Sequence, residues 1–126
     1  MRIVIETIPH DKQAYPTAGD WRRGPDGTLV VRVSEEIGEK FALLVALHEL
    51  IEVALCEERG ITCEQVDNFD KSFELHREPG NKDEPGDDPA APYRKEHFFA
   101  TNLERLLAAE LGIDWAEYER KLNELP

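Results

Sequence analysis

The chain opens on a β-branched run in which Ile3, Ile5 and Thr7 alternate with Val4, Glu6 and Ile8 before Pro9. This pattern predicts a strand over residues 2–8. Residues 10–20 carry Pro16 and Gly19 and read as loop. Residues 21–23 then run into Gly24-Pro25-Asp26-Gly27, a strong turn signal, and residues 28–33 return as a second strand, giving a hairpin. Ser34, followed by Glu35 and Glu36, suits a helix N-terminus. Gly38 interrupts it, so a regular helix is expected from Glu39 to Arg59, with Gly60 as its stop.

Thr62 and Gln65 form a capping box that opens a second helix, where Val66, Phe69 and Phe73 recur at core-facing spacing. Residues 76–92 hold Pro79, Pro85, Pro89 and Pro92, two glycines and several acids, and are expected to form a mobile loop. A last long helix is predicted over about residues 93–111, with Phe99, Leu103, Leu106 and Leu107 on one face. Asp114 caps a short terminal helix carrying Trp115, Tyr118 and Leu122. The order predicts an α+β fold, a small antiparallel sheet of strand plus hairpin packed on three to four helices. No repeat or change of composition divides the 126 residues, which fit a single domain, 1–126.

Composition narrows the partners. Hydrophobic residues make up 40%, enough for a core, while the net charge of −12 disfavours nucleic acid and anionic membranes. The longest apolar run, residues 41–47, is too short to span a bilayer, and the N-terminus carries an acid where a signal peptide would be apolar. A cytoplasmic protein is expected. Cys56 and Cys63 make neither a disulfide framework nor a Cys-x-x-Cys site, and a reduced, buried Cys56 is expected. The phosphate loop, the Gly-x-Ser-x-Gly elbow and the deaminase Pro-Cys-x-x-Cys motif are all missing.

Candidate chemistry gathers in residues 41–56, whose only polar side chains are His48, Glu49 and Glu52. A helix apolar on nearly every side is buried, and ionisable groups within it need pairing, protonation or an ion. His48 and Glu52 stand at i and i+4, so they stack about 6 Å apart on one face, where an imidazole and a carboxylate converge on one cation. Glu49 lies roughly 100° further round.

This His-Glu-x-x-Glu segment, behind a hairpin, resembles the zincin metallopeptidases over roughly residues 28–59. The family's motif is His-Glu-x-x-His, and Glu52 replaces its second histidine. The resemblance implies a minimal zincin-like core and a zinc-dependent, peptidase-like hydrolase. His48 and Glu52 would be ligands and Glu49 the general base on a metal-bound water, with a peptide or protein as substrate. Three protein ligands are needed. His97, early in the last long helix, is the leading third, with Glu96 nearer the centre of that helix's apolar face as its competitor and Asp70 and Asp67 as further alternatives. Such a set would also take iron, nickel or manganese. The whole chain is also similar to small phage- and prophage-encoded proteins, through residues 15–21 and the last long helix, a likeness that brings no activity with it.

Each feature has a plainer reading. His48 and Glu52 would be a buried polar pair, Glu49 a solvent-facing carboxylate and His97 a partly exposed helix residue. Asp67, Asp70, Glu104 and Glu110 would be a solvated face, and Trp21 and Trp115 core. Residues 83–88 have carboxylates for calcium but no EF-hand frame. Tyr93, Arg94 or His97 could polarise a substrate carbonyl under a closed loop. The alternative function is a non-enzymatic, phage-type accessory or acidic binding protein, with a structural metal or no metal at all.

Overall fold

The computed structural model describes residues 1–126. Three strands, β1 (Ile3–Ile8), β2 (Gly19–Arg23) and β3 (Leu29–Ser34), form one sheet in the order β1-β3-β2. Four helices follow: α1 (Glu39–Glu58), α2 (Cys63–Leu75), α3 (Arg94–Glu110) and α4 (Trp115–Asn123). The fold is α+β, as the element order predicts.

The sheet is mixed rather than antiparallel throughout. β2 and β3 are the predicted hairpin, turning where Gly27 adopts φ 83°. β1 pairs parallel to β3, with Ile3 opposite Leu29 and Ile8 opposite Ser34. The cause lies in residues 9–18, which cross only the C-terminal end of β3. There Ser34 N donates to Ala18 O, and the Ser34 hydroxyl contacts His10 Nδ1 and Thr17 O. A connection that stays at one end of the sheet reverses β2 relative to β1, so β1 must run with β3.

The central strand turns Leu29, Val31 and Val33 inward, the period-2 pattern of a half-buried sheet. α1 packs across β3 and β2 and against α3. Its Leu44, Val53 and Cys56 are fully buried, as is Tyr118 of α4. Both cysteines are free. Ser34 does not cap α1. A single 310 turn, Glu35–Ile37, intervenes, and Gly38 at φ 84° starts the helix. The Thr62–Gln65 capping box and the Asp114 cap form as predicted.

In α3 the buried stripe is Glu96, His97, Ala100, Glu104 and Ala108, whereas Phe99 and Leu106 are 51% and 65% exposed. Small side chains let α3 lie close to α1; of the larger residues expected to face the core, Leu107 packs against it and Leu103 is half-buried, while Phe99 and Leu106 are displaced outward. Residues 76–92 follow a loop course with one 310 turn, Pro85–Asp87, packed against α2 and α3. No helix is long and apolar enough to cross a membrane.

At Gly19 the strand runs so near α1 that an added Cβ would lie 2.5 Å from Val45 Cγ1 and 3.0 Å from Glu49 Cγ. Gly19→Ala is therefore expected to destabilise the protein by about 1–3 kcal/mol, read from urea unfolding. Unchanged stability would contradict so close an approach.

Candidate metal centre

His48 and Glu52 project from the same face of α1, one turn apart, and His97 meets them from the first turns of α3. All three are buried, at 4–6% exposure. Glu52 Oε2 is the point of convergence, 3.0 Å from His48 Nε2 and 3.2 Å from His97 Nδ1. The two imidazole centroids are 4.8 Å apart, and the candidate ligand atoms of the three residues lie within 4.8 Å of one another. The other Glu52 oxygen accepts from the indole Nε1 of Trp21 at 3.4 Å.

The far side of each imidazole also has a carboxylate. His48 Nδ1 is 2.9 Å from Glu104 Oε1, and the second Glu104 oxygen accepts the Tyr118 hydroxyl. His97 Nε2 is 3.1 Å from Glu84 Oε2 and 3.2 Å from Asp87 Oδ1. Gly86 lies flat on the His97 ring, where an added Cβ would come within 2.3 Å of the ring. Residues 84–87 thus strap His97 in place and leave its Nδ1 directed at Glu52.

These contacts set the protonation of the cluster. At His48 burial opposes charge, but the hydrogen bonds to Glu104 and Glu52 outweigh it and hold the pKa well above the ordinary value. His97 likewise overcomes burial through Asp87, Glu52 and Glu84 and is pushed up to about 12. Glu52, despite burial, is drawn down to about 2 by hydrogen bonds from His48 and His97. Glu49 differs. It is half-buried in the cavity wall, and burial followed by the adjacent Glu52 charge raises its carboxyl well above the usual range.

The donor set fits a divalent transition metal. Two imidazole nitrogens and one carboxylate oxygen lie within 4.8 Å of one another, and these are the ligand types of zinc sites. A carboxylate behind each imidazole is the arrangement that fixes the tautomer of a ligating histidine and raises its basicity.

Of the alternative ligands, Glu96 is buried but turns away and pairs with Arg59 at 2.5 Å. Asp67 faces Cys63 and leaves Oδ1 buried without a partner. Asp70 lines the cavity but is held by the Tyr15 and Tyr93 hydroxyls, and burial pushes its carboxyl up to about 7. Neither Asp70 nor Glu104 belongs to a solvated face, and His97 is not partly exposed. Both are buried because α2 and α3 turn their acidic stripes inward. Tyr93 lies in the cavity wall, while Arg94 is exposed over the Phe98 ring, 5.1 Å from its centroid, and takes no part. Trp21 is core and also a donor to Glu52.

Sequence reasoning missed Glu104, Tyr118, Glu84 and Asp87. Glu104 had a usable signal, since it stands two helical turns after His97 on the same face. Nothing local marks Tyr118, Glu84 or Asp87, which arrive through tertiary packing. Comparison with protein-family models, curated proteins and solved structures finds no match.

The shifts dictate an unusual pH profile for metal-free protein. Glu52 stabilises the fold above about 4.5, and this contribution is lost as pH falls toward 2. The contribution of His97 is complete below about 6.5 and erodes as pH climbs toward 12. Asp70 adds a loss in the same direction between 3.8 and about 7. In excess chelator, unfolding free energy should peak near about pH 4.5 and fall on both sides. Greater stability at pH 8 than at pH 4.5 would contradict this account.

Proposed function

We propose that this protein is a zinc-dependent, peptidase-like hydrolase of zincin-like design, working in the cytoplasm. The observation that carries the reading is the convergence of His48 Nε2 and His97 Nδ1 on the Glu52 carboxylate, with a carboxylate behind each ring. His48, Glu52 and His97 would hold the ion, and the same donors would also accept iron, nickel or manganese. A divalent ion there supplies Lewis acidity, which acidifies a water and polarises a carbonyl oxygen.

The chain's own groups supply the rest. Glu49, one residue beyond His48 on α1 and in the cavity wall, takes a proton from the attacking water and returns it to the leaving amine. Burial and the nearby Glu52 charge raise its carboxyl above the ordinary range, which makes it a stronger base than a solvated carboxylate. Glu104 and the strap hold the imidazoles so that their inner nitrogens stay directed at Glu52. β2 is an edge strand, and its Gly19–Trp21 portion lines the cavity, so an extended peptide can add along it.

A second reading has one observation in its favour: the cluster is already hydrogen-bonded without an ion, since every nitrogen of His48 and His97 has a carboxylate partner. Such a network suits a non-enzymatic accessory or acidic binding protein of the phage type, held together by protons or by a structural metal.

Paired substitutions separate the two. For the enzyme, Glu49→Gln retains about one zinc per chain and lowers peptide hydrolysis by about 10²–10⁴-fold. Glu52→Gln weakens zinc binding itself, read by elemental mass spectrometry of protein prepared without a tag. A structural site predicts instead that Glu52→Gln lowers Tm while Glu49→Gln changes nothing measurable. Failure of wild-type protein to bind zinc would end the hydrolase reading.

A further inference from the structure

The cavity in front of the cluster has a volume of about 180 Å3 and is walled by the loop before β2, by α1, α2, α3 and α4 and by the strap. Its acidic side chains are of two kinds. Most have a cation at hand: Asp20 pairs with Arg22, Glu74 with Arg77, and Glu52, Glu84 and Glu104 with the two imidazoles. Asp83, which is exposed, and Glu49 and Asp70 do not. Asp70, on α2, is only 7% exposed, yet its partners are the hydroxyls of Tyr15 and Tyr93, one on each oxygen.

A carboxylate that deep ordinarily has a cationic partner. Two phenols from separate elements fix the orientation of Asp70, while each of its oxygens keeps a second lone pair for another donor. Asp70 is therefore a deep carboxylate on the cavity wall with no cation against it, an arrangement that favours a cationic guest over an anionic one.

We propose that Asp70, positioned by Tyr15 and Tyr93, is the recognition group for an ammonium on the substrate. The substrate class is a compound bearing a primary amine, either a peptide amino terminus or a lysine side chain. A cavity of this size takes one such group rather than a folded surface. The identity of the bond that is cut rests on the hydrolase reading, but capture of the ammonium does not.

Calorimetric titration of the full-length, zinc-supplemented protein tests this with four small probes. L-Alaninamide presents an α-ammonium, Nα-acetyl-L-lysinamide an ε-ammonium, Nα-acetyl-L-alaninamide no charge and Nα-acetyl-L-glutamate a negative one. At least one ammonium compound should bind at least tenfold more tightly than the neutral and anionic ones, and which of the two does so identifies the source of the amine. Asp70→Asn should remove that preference, whereas Asp67→Asn, on the same helix but outside the cavity, should keep it.

Equal binding of neutral and ammonium probes by the wild type would overturn the proposal, whether or not Asp70→Asn folds. Undiminished binding by a folded Asp70→Asn would overturn it too, because the amine would then be ligating the ion. Zinc content measured on the same samples keeps the two ideas apart. Ammonium selectivity without zinc would sink the hydrolase reading and leave this one standing.

Discussion

Burying the Glu52 carboxylate among Val53, Cys56 and Trp21 costs several kcal/mol unless positive charge comes with it. Neither α1 nor the sheet can supply that charge in full, because His48 is the only basic group that α1 places beside it. The second must come from α3, which fixes where that helix lies. The stripe of Ala100 and Ala108 lets α3 approach closely enough for His97 to reach Glu52, and the bulky Phe99 and Leu106 are left outside. The cluster therefore depends on the packing of α1 with α3, and removal of either imidazole would strand a buried charge.

Each imidazole in turn recruits the periphery. Glu104 and Tyr118 tie α3 and α4 to His48, and residues 84–87 tie an otherwise weakly apolar loop to His97. That loop has little hydrophobic surface to bury, so polar contacts to one ring and the flat face of Gly86 hold it. Two states satisfy the same constraint. In one the imidazoles are both protonated and donate to carboxylates on both sides. In the other, which the proposed metal binding implies, a dication would replace the two inner protons. The total charge would be equal, and pH and metal concentration would decide between them.

Much of the fold was legible in the sequence because its signals are local. The capping box at Thr62, the Asp114 cap, the turn at residues 24–27 and Gly60 each punctuate the chain independently of tertiary context. The direction of β1 was not legible, since it follows from where residues 9–18 cross the sheet. The inward face of α3 is only partly legible: Leu107 packs on the core as its spacing predicts, while close packing against α1 selects small residues and leaves Phe99 and Leu106 outside. In the site, His48, Glu49 and Glu52 stood out against an apolar helix, and His97 was found by its residue type and place. Glu104 was dismissed as surface, although it shares a face with His97. The strap carboxylates come from a segment whose composition says only loop, and their role exists only in three dimensions.

The equivalence of two protons and one dication is the central claim, and proton release on zinc binding measures it most directly. Calorimetry at pH 7 in buffers of different ionisation enthalpy gives the number of protons displaced. Because His48 and His97 are both held protonated before the ion enters, roughly two protons per zinc are expected. Binding with no proton release, or no binding at all, would show that His48, Glu52 and His97 are not jointly exchanging protons for a metal.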